Sequence, residues 1–229
     1  MKSLKNEQKR KKANIVRIEG ERLLKDSIDQ GWLPEIITTK KYAKRFENKN
    51  FQKIFVAEEK LIKKCMSIPK LEPIIGIGKY PIKKNIDYKK DMVVFFSQDP
   101  TNIGSIIRTS LAHGIDNFLF SQNSPDPYNL IVLRTSAGAS FGINYSKMNN
   151  EESLKLPEHK LILATAHSGK RVEDIELKNE KICLIFGNES KGIPRSWESR
   201  GEKITIPIKN IESLSVSAAA AIIINKITK

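Results

Sequence analysis

Three stretches of this 229-residue chain combine small, backbone-permissive residues with polar side chains that could do chemistry. They are DPTNIGSIIRTSLAHG from Asp99, LIFGNESKGIP from Leu184 and ITIPIKNIESLSVSAAAAI from Ile204. Two of them begin where an apolar, strand-like run ends, and in open parallel sheets ligands bind at the carboxyl ends of the strands. We therefore predict a ligand site that is assembled from three separate loops.

The glycine spacing of GNESKGIP must be distinguished from that of a phosphate-binding loop. Gly187 and Gly192 have the separation of a P-loop, but Ile193 and Pro194 stand where that loop needs lysine and then serine or threonine. The sequence also contains no G-x-G-x-x-G pattern that opens a predicted helix. Neither of the common nucleotide-binding folds is therefore indicated.

Positive charge is concentrated in the first part of the chain. The sequence has 40 Lys and Arg against 26 Asp and Glu, a formal net charge of +14. Residues 1–90 contain 24 of the basic and 11 of the acidic residues, whereas residues 91–229 contain 16 and 15. Such an excess usually serves a polyanion, so we predict an N-terminal part that binds nucleic acid; a general enrichment in lysine is the alternative.

The cysteines, histidines and apolar runs exclude several classes of protein. Cys65 and Cys183 are the only cysteines, which predicts no disulfide framework, and the three histidines show no metal-ligand spacing. The basic N-terminus lacks the apolar core of a secretory signal. The longest apolar run, from Val216, is too short and too rich in alanine to span a bilayer. We expect a soluble, cytoplasmic protein without a metal or a membrane partner.

Hydrophobic patterning predicts two α/β regions joined by a charged linker over 79–91. In the first region we predict helices over 15–30 and 58–66 and short strands near EIITT, KIFVA and PIIGIGKY. In the second region apolar runs alternate with helices predicted over 102–113 and 214–227, which suits a parallel sheet covered on both faces. These runs begin at Met92, Asn117, Lys160, Lys181 and Lys203.

The three stretches resemble the signature motifs of the SpoU (TrmH-like) family of RNA ribose 2′-O-methyltransferases, within the SPOUT class. The first motif, Asp-Pro-x-Asn-x-Gly followed by Arg-Thr and Gly, corresponds to Asp99–Gly114. The second, Gly-x-Glu-x-x-Gly, corresponds to Gly187–Gly192, and the third, Ile-Pro followed by Ser-Leu-Asn-Val-Ser, to Ile206–Ser217. The segment VLRTSAGASFGI from Val132 also resembles an Arg-x-Ser-x-Gly-Ala segment of that family, so the resemblance covers residues 92–227.

This resemblance implies an architecture that periodicity alone does not show. It implies an α/β fold with a parallel-sheet SPOUT domain over 92–229, whose C-terminal segment forms a deep trefoil knot, a rare exception among folds. Residues 1–78, with EGERLLKDSIDQGWLPEIITT, resemble the smaller α/β L7Ae-like module that binds RNA substrates. The resemblance also implies a homodimer with the active site at the subunit interface.

The resemblance further implies S-adenosylmethionine as the cofactor and RNA, with ribosomal RNA expected first, as the substrate. The residues expected to bind the cofactor are Gly187, Ile206, Leu214 and Ser215. The residues expected to act in catalysis are Arg108, Asn102, Glu189 and Ser213.

Each catalytic candidate also has a purely structural interpretation. Asn102 could cap a helix and Arg108 could be a solvated charge, while Glu189 could pair near Lys191 and Ser213 could cap the last helix. The joint order and spacing of these residues favours the functional interpretation.

One position departs from the family pattern, because Ser215 stands where the family has Asn. Serine is shorter and lacks the paired amide donor and acceptor. A catalytically silent RNA-binding protein of the same fold is therefore one alternative. A tRNA ribose methyltransferase is a second, and a base methyltransferase of the wider class is a third.

Overall fold

The computed structural model describes residue 9 and residues 12–81, 86–148, 156–177 and 180–228. These residues form two compact units. The first contains the described residues up to position 81 together with Tyr128–Phe141, and the second contains the rest. Tyr128–Phe141 belongs to the first unit although it lies far along the chain from the other residues of that unit. The functional division at 78 and 92 remains a prediction.

The first unit is built on a four-stranded mixed sheet with the order β1-β4-β2-β3. Strand β4 is antiparallel to β1 and β2, whereas β2 and β3 are parallel. The strands are β1 Ile15–Glu19, β2 Glu35–Thr38, β3 Lys53–Val56 and β4 Ile74–Lys79. Its helices are α1 Glu21–Asp29, α2 Lys40–Ala43, α3 Glu59–Cys65 and α5 Leu130–Thr135.

The predicted helix over 15–30 is wrong in its first third, because Ile15–Glu19 is strand β1. Two charged residues of this segment are buried, and Arg17 pairs with Glu19 at 2.6 Å. The Glu19 carboxylate also accepts backbone N–H groups from Ser67 and Ile68, at 2.8 and 3.0 Å. The alternation of Val16 and Ile18 with this charged pair has the period of two of a strand, but two charges did not indicate a buried one.

The second unit contains a seven-stranded sheet in which every described pairing is parallel, with the order β7-β6-β5-β10-β8-β11-β9. The predicted parallel sheet is thus confirmed. Its inner strands are continuous apolar runs because helices and loops cover both faces. The strands are β5 Met92–Phe95, β6 Asn117–Phe120, β7 Asn144–Lys147, β8 His159–Ala164, β9 Lys170–Arg171, β10 Lys181–Phe186 and β11 Glu202–Thr205. Its helices are α4 Pro100–Ala112, α6 Arg195–Glu198 and α7 Val216–Ile227.

The two long helices of the second unit, α4 and α7, pack against each other and start at different residues from those predicted. Helix α4 is capped by Asp99, whose carboxylate accepts the N–H of Thr101 at 2.8 Å, so Asn102 is not the cap. Helix α7 is capped by Ser215, whose hydroxyl accepts the N–H of Ala218 at 3.2 Å, so Ser213 is not the cap. Both capping interpretations of the candidate residues are therefore wrong.

Two further sequence expectations concern apolar residues. Cys183 lies at the centre of β10, where burial raises the pKa of its thiol, as expected for a small core residue. Within the described ranges, no helix combines the length and apolar character needed to cross a membrane.

Gly78 in β4 supports the indole of Trp32, and a Cβ added there would lie 2.8 Å from the ring. Trp32 has little freedom to move, because its Nε1 donates to the Lys79 carbonyl at 3.0 Å and its ring packs on Phe141. We expect Gly78→Ala to lower the free energy of unfolding by about 1–3 kcal/mol through overpacking. Guanidinium denaturation followed by circular dichroism measures this loss.

The matched control is the same substitution in a Trp32→Leu background. A smaller side chain at position 32 leaves room for the added methyl, so Gly78→Ala should cost less there. An equal cost in both backgrounds would contradict the steric explanation.

Candidate active site

A cleft of about 600 Å³ lies at the carboxyl ends of three neighbouring strands of the second unit, β10, β8 and β11. Its walls come from the loops that follow these strands, and Leu163, Phe186 and Ile223 contribute apolar surface. The volume falls within the range of sites for small organic ligands and cofactors. The sequence predicts a site assembled from loops at the ends of strands, and this cleft lies at such a place.

Seven of the eight predicted site residues line this cleft. They are Asn102, Gly187, Glu189, Ile206, Ser213, Leu214 and Ser215. Arg108 does not line it and lies at an exposed position of α4.

The loop after β10 is a tight hairpin closed by reciprocal backbone hydrogen bonds between Asn188 and Gly192, at 2.9 and 2.8 Å. The Asn188 side chain also accepts the N–H groups of Ser190 and Lys191. Gly192 has a φ of 68°, a conformation that favours glycine. These contacts hold the hairpin rigid, so that it presents Glu189 to the cleft in one position.

Gly187 is required by close approach of two backbone segments. A Cβ added at this position would lie 2.5 Å from the carbonyl carbon of Gly192 and 2.6 Å from the nitrogen of Ile193. Any side chain at position 187 would therefore push the hairpin away from the end of β10 and change the shape of the cleft.

Glu189 joins the first and second sequence motifs. Its Oε1 accepts hydrogen bonds from the Ser97 hydroxyl at 2.7 Å and from the Asn102 Nδ2 at 2.8 Å. Burial alone would raise the pKa of Glu189, but these two donors and its own backbone N–H outweigh burial, so the pKa lies below its usual value. The carboxylate is therefore ionised at neutral pH and acts as an acceptor at the edge of the cleft.

The contacts of Asn102, Glu189 and Arg108 can be set beside the structural interpretations that the sequence allowed. Asn102 is buried and donates to Glu189, and Glu189 makes its side-chain contacts with Ser97 and Asn102 rather than with Lys191. Within the described ranges, no ion pair or hydrogen bond engages the Arg108 side chain, which in the single chain is a solvated charge.

The third sequence motif forms one wall of the cleft, with apolar side chains inside and polar side chains at the rim. Ile206 and Leu214 contribute side chains, and Ser213 is exposed beside them. The Ser215 hydroxyl is occupied by capping α7 and lies 3.3 Å from the Ser217 hydroxyl. Ser215 therefore contributes to the cleft mainly through its position in the backbone.

The loop after β8 contributes backbone groups that the sequence did not single out. The N–H of Thr165 donates to the Ile204 carbonyl at 2.9 Å, and the Thr205 hydroxyl donates to the Ala166 carbonyl at 3.1 Å. His167 and Ser168 lie at the exposed rim of the cleft. This loop carries no motif, because its contribution comes from main-chain atoms rather than from particular side chains.

Ser97 is a contributor that sequence reasoning missed. It lies two residues before the first motif, immediately after the apolar run that ends at Phe96, and it is fully buried. Its partner Glu189 is 92 positions away. The only signal in the sequence was a hydroxyl at the end of a predicted buried strand.

The chemical character of the cleft follows from these parts. It offers apolar walls, a close approach of backbone segments at Gly187, and two carboxylates, Glu189 and Glu198, whose pKa values both lie below the usual value. A flat aromatic ring with polar edges fits between such walls and backbone groups. In the part of the chain that the structure describes, no group of three or more His, Cys, Asp or Glu side chains could hold a metal ion.

The chain is similar in sequence to RNA methyltransferases of bacteria. The 23S rRNA (guanosine(2553)-2′-O)-methyltransferase RlmP of Bacillus subtilis is 26% identical over 229 residues, which cover 97% of this chain and 92% of that protein. An uncharacterized tRNA/rRNA methyltransferase of Borreliella burgdorferi is 33% identical over 137 residues, which cover 58% of this chain and 60% of the relative. The chain thus spans less than two thirds of that second relative.

The solved structure of the SpoU methyltransferase AviRb from Streptomyces viridochromogenes, in complex with the cofactor AdoMet, has the same fold. It superimposes with a TM-score of 0.82 at 20% identity and covers 97% of this chain and 92% of that one. Residues 91–225, which include all three motifs, match the sequence model of the SpoU rRNA Methylase family. The chain therefore belongs to the SpoU rRNA methylase family.

Proposed function

We propose that this protein is an S-adenosylmethionine-dependent RNA methyltransferase that modifies a ribose 2′-hydroxyl, with ribosomal RNA as the substrate. One observation carries the proposal. Asn102 of the first motif donates to Glu189 of the second at 2.8 Å, in a cleft whose third wall is the third motif. The similarity to RlmP, whose name specifies 2′-O-methylation of 23S rRNA, supports the choice of reaction and substrate.

The residues of the cleft fit S-adenosylmethionine. Ile206 and Leu214 provide apolar surface for an adenine ring, and the hairpin after Gly187 provides backbone groups at close range. Ser215 lines the same wall. When bound, this cofactor supplies an electrophilic methyl group on a sulfonium sulfur.

The remaining polar groups would align the substrate. Glu189, ionised and fixed by Asn102, can accept a hydrogen bond from the target nucleotide, and Ser213 can donate one from the rim. Alignment of this kind lowers the barrier by holding the reacting oxygen in place before reaction. Glu189 and Asn102 would thus position the target nucleotide rather than transfer a proton.

Arg108 would act on the RNA phosphate beside the target ribose. A guanidinium is effectively never deprotonated, so a role as general base is excluded. Its charge and its two parallel N–H donors suit a phosphate, and the resulting field would lower the pKa of the neighbouring 2′-hydroxyl. A phosphate oxygen or a water molecule would then receive the proton.

Homodimer formation would explain why Arg108 lies outside the cleft of its own chain. Arg108 is exposed on α4, and α7, which packs against α4, exposes Ala218 and Ile222. Apolar side chains exposed on α7 favour association with another copy. In such a dimer, Arg108 of one chain would face RNA held at the cleft of the other.

A C-terminal trefoil knot is part of the same proposal. The segment after β11 lines the same cleft as the loops after β8 and β10, and α7 then packs on α4. A Cβ added to Gly169 would lie only 2.3 Å from the Lys203 carbonyl oxygen, where β9 and β11 pair side by side. The proposal of a knot rests on the resemblance of the three motifs to the SPOUT class.

The first unit would be an L7Ae-like domain that binds RNA in the cytoplasm. The Arg45 guanidinium lies 4.6 Å from the Tyr42 ring centre, and the Lys53 ammonium lies 5.0 Å from that of Phe55. Cations beside aromatic rings that solvent can reach, Phe55 exposed and Tyr42 half-buried, suit unstacked RNA bases and their phosphates. The excess of basic residues in 1–90 supports the same assignment.

The proposed reaction predicts transfer of labelled methyl to RNA. Purified protein, methyl-labelled S-adenosylmethionine and total RNA from a strain lacking the gene should give label in the ribosomal RNA fraction. The modified nucleotide should resist alkaline cleavage, because its 2′-oxygen can no longer attack the phosphate. Label without a gap in the alkaline ladder would indicate a base methyltransferase. Label in transfer RNA would indicate a tRNA methyltransferase. Label in no fraction would favour a silent RNA-binding protein.

Arg108→Lys tests the role of the guanidinium. Lysine keeps the charge but loses the two parallel donors, so we expect kcat/KM to fall about 10- to 100-fold while RNA affinity changes little. Arg22→Lys is the control, because the Arg22 side chain is 85% exposed and lies outside the cleft. Near-full activity of Arg108→Lys would show that a bidentate donor is not needed.

Gly187→Ala tests the cofactor site. The added Cβ would meet the backbone of Gly192 and Ile193, so calorimetry should show S-adenosylmethionine binding at least about tenfold more weakly. Ser190→Ala in the same hairpin is the control, since the hairpin engages Ser190 through its backbone N–H. Unchanged affinity in both variants would place the cofactor elsewhere.

A further inference from the structure

We propose that Ser97 is a positioning residue that fixes the orientation of the Glu189 carboxylate toward the target nucleotide. Ser97 lies two residues after the end of strand β5 and is fully buried. Its hydroxyl donates to Glu189 Oε1 at 2.7 Å, slightly shorter than the bond from Asn102. The inference rests on the proposed function, because it assigns Ser97 a role in that reaction.

The direction of the Ser97 hydrogen bond is fixed by its second partner. The Ser97 oxygen accepts the backbone N–H of Asp99 at 3.2 Å, which occupies one lone pair of the hydroxyl. A serine hydroxyl has a single proton, and an ionised carboxylate can only accept. The proton of Ser97 is therefore directed at Glu189.

The backbone of Ser97 is also held in place, which fixes the position from which its hydroxyl donates. The Ser97 carbonyl accepts the Ser124 hydroxyl at 2.9 Å, and the Ser124 carbonyl accepts the Lys147 ammonium at 2.9 Å. Ser124 is buried. The carboxylate is thus tied through Ser97 to the sheet and not only to its own exposed hairpin.

Both donors bind the same carboxylate oxygen. Ser97 and Asn102 each donate to Oε1 of Glu189, and neither uses Oε2. Two donors from different directions prevent rotation of the carboxylate, and Oε2 is left to accept from a ribose hydroxyl or a base N–H. Without Ser97, Asn102 would be the one side-chain donor to this carboxylate among the described residues, beside the backbone N–H of Glu189 itself.

Ser97→Ala removes the donor with little change in volume. We expect kcat to fall about tenfold with little change in KM for S-adenosylmethionine, because a hydrogen bond to a charged group is lost. The pKa of Glu189 should rise, because a donor that stabilises the ionised form is gone. The acidic limb of the rate profile should therefore move to higher pH.

Two variants serve as controls. Ser97→Thr keeps the hydroxyl and should restore most of kcat and the original acidic limb. Ser110→Ala removes a hydroxyl that is equally buried and has no hydrogen-bond partner among the described residues. It should change neither kcat nor the pH profile, which separates positioning from general loss of packing.

A second readout does not depend on methyl transfer. Carbon-13 NMR of the glutamate carboxyl groups, with the Glu189 signal identified by its absence in Glu189→Gln, follows the titration of Glu189 directly. A higher midpoint in Ser97→Ala than in the unmodified protein supports the contact even if no RNA is methylated. An unchanged midpoint, or an unchanged kcat in an active enzyme, overturns the role of Ser97.

Discussion

Parallel pairing of β5, β10, β8 and β11 is the constraint on which the rest of the site depends. Because neighbouring strands run in the same direction, their carboxyl ends meet at one edge, and the loops that follow them must share that space. Three motifs that are distant in sequence are thereby brought into one cleft. The continuous burial of β5 and β10 keeps these strand ends fixed, so loop geometry can be set by short contacts.

The close approach of backbone segments is a second condition for this site, and it explains why glycine occupies positions 187 and 169. Gly187 and Gly169 each face another backbone segment at a distance that excludes a side chain. Without the approach at Gly187 the hairpin that carries Glu189 would stand away from the end of β10. The small residues of the motifs thus permit contacts, while Asn102 and Glu189 carry the polar functions.

Strands and site residues could be predicted from the sequence to different degrees. Apolar runs such as Met92–Phe95 identify buried strands, because both faces of that sheet are covered. The strand at Ile15–Glu19 was mistaken for a helix, because Arg17 and Glu19 are charged yet buried as a satisfied pair. Ser97 could not be found, because a side-chain contact across 92 positions leaves no periodic or motif signal.

The departure at Ser215 gains a physical meaning from these contacts. Its hydroxyl caps α7, a role in which serine and asparagine are nearly equivalent, so the replacement preserves the helix that closes the cleft. The carboxylate of Glu189 takes its donors from Ser97 and Asn102, at the other side of the site. The alignment of Glu189 therefore does not depend on the side chain at position 215, and the substitution by itself gives no reason to regard the cleft as inactive.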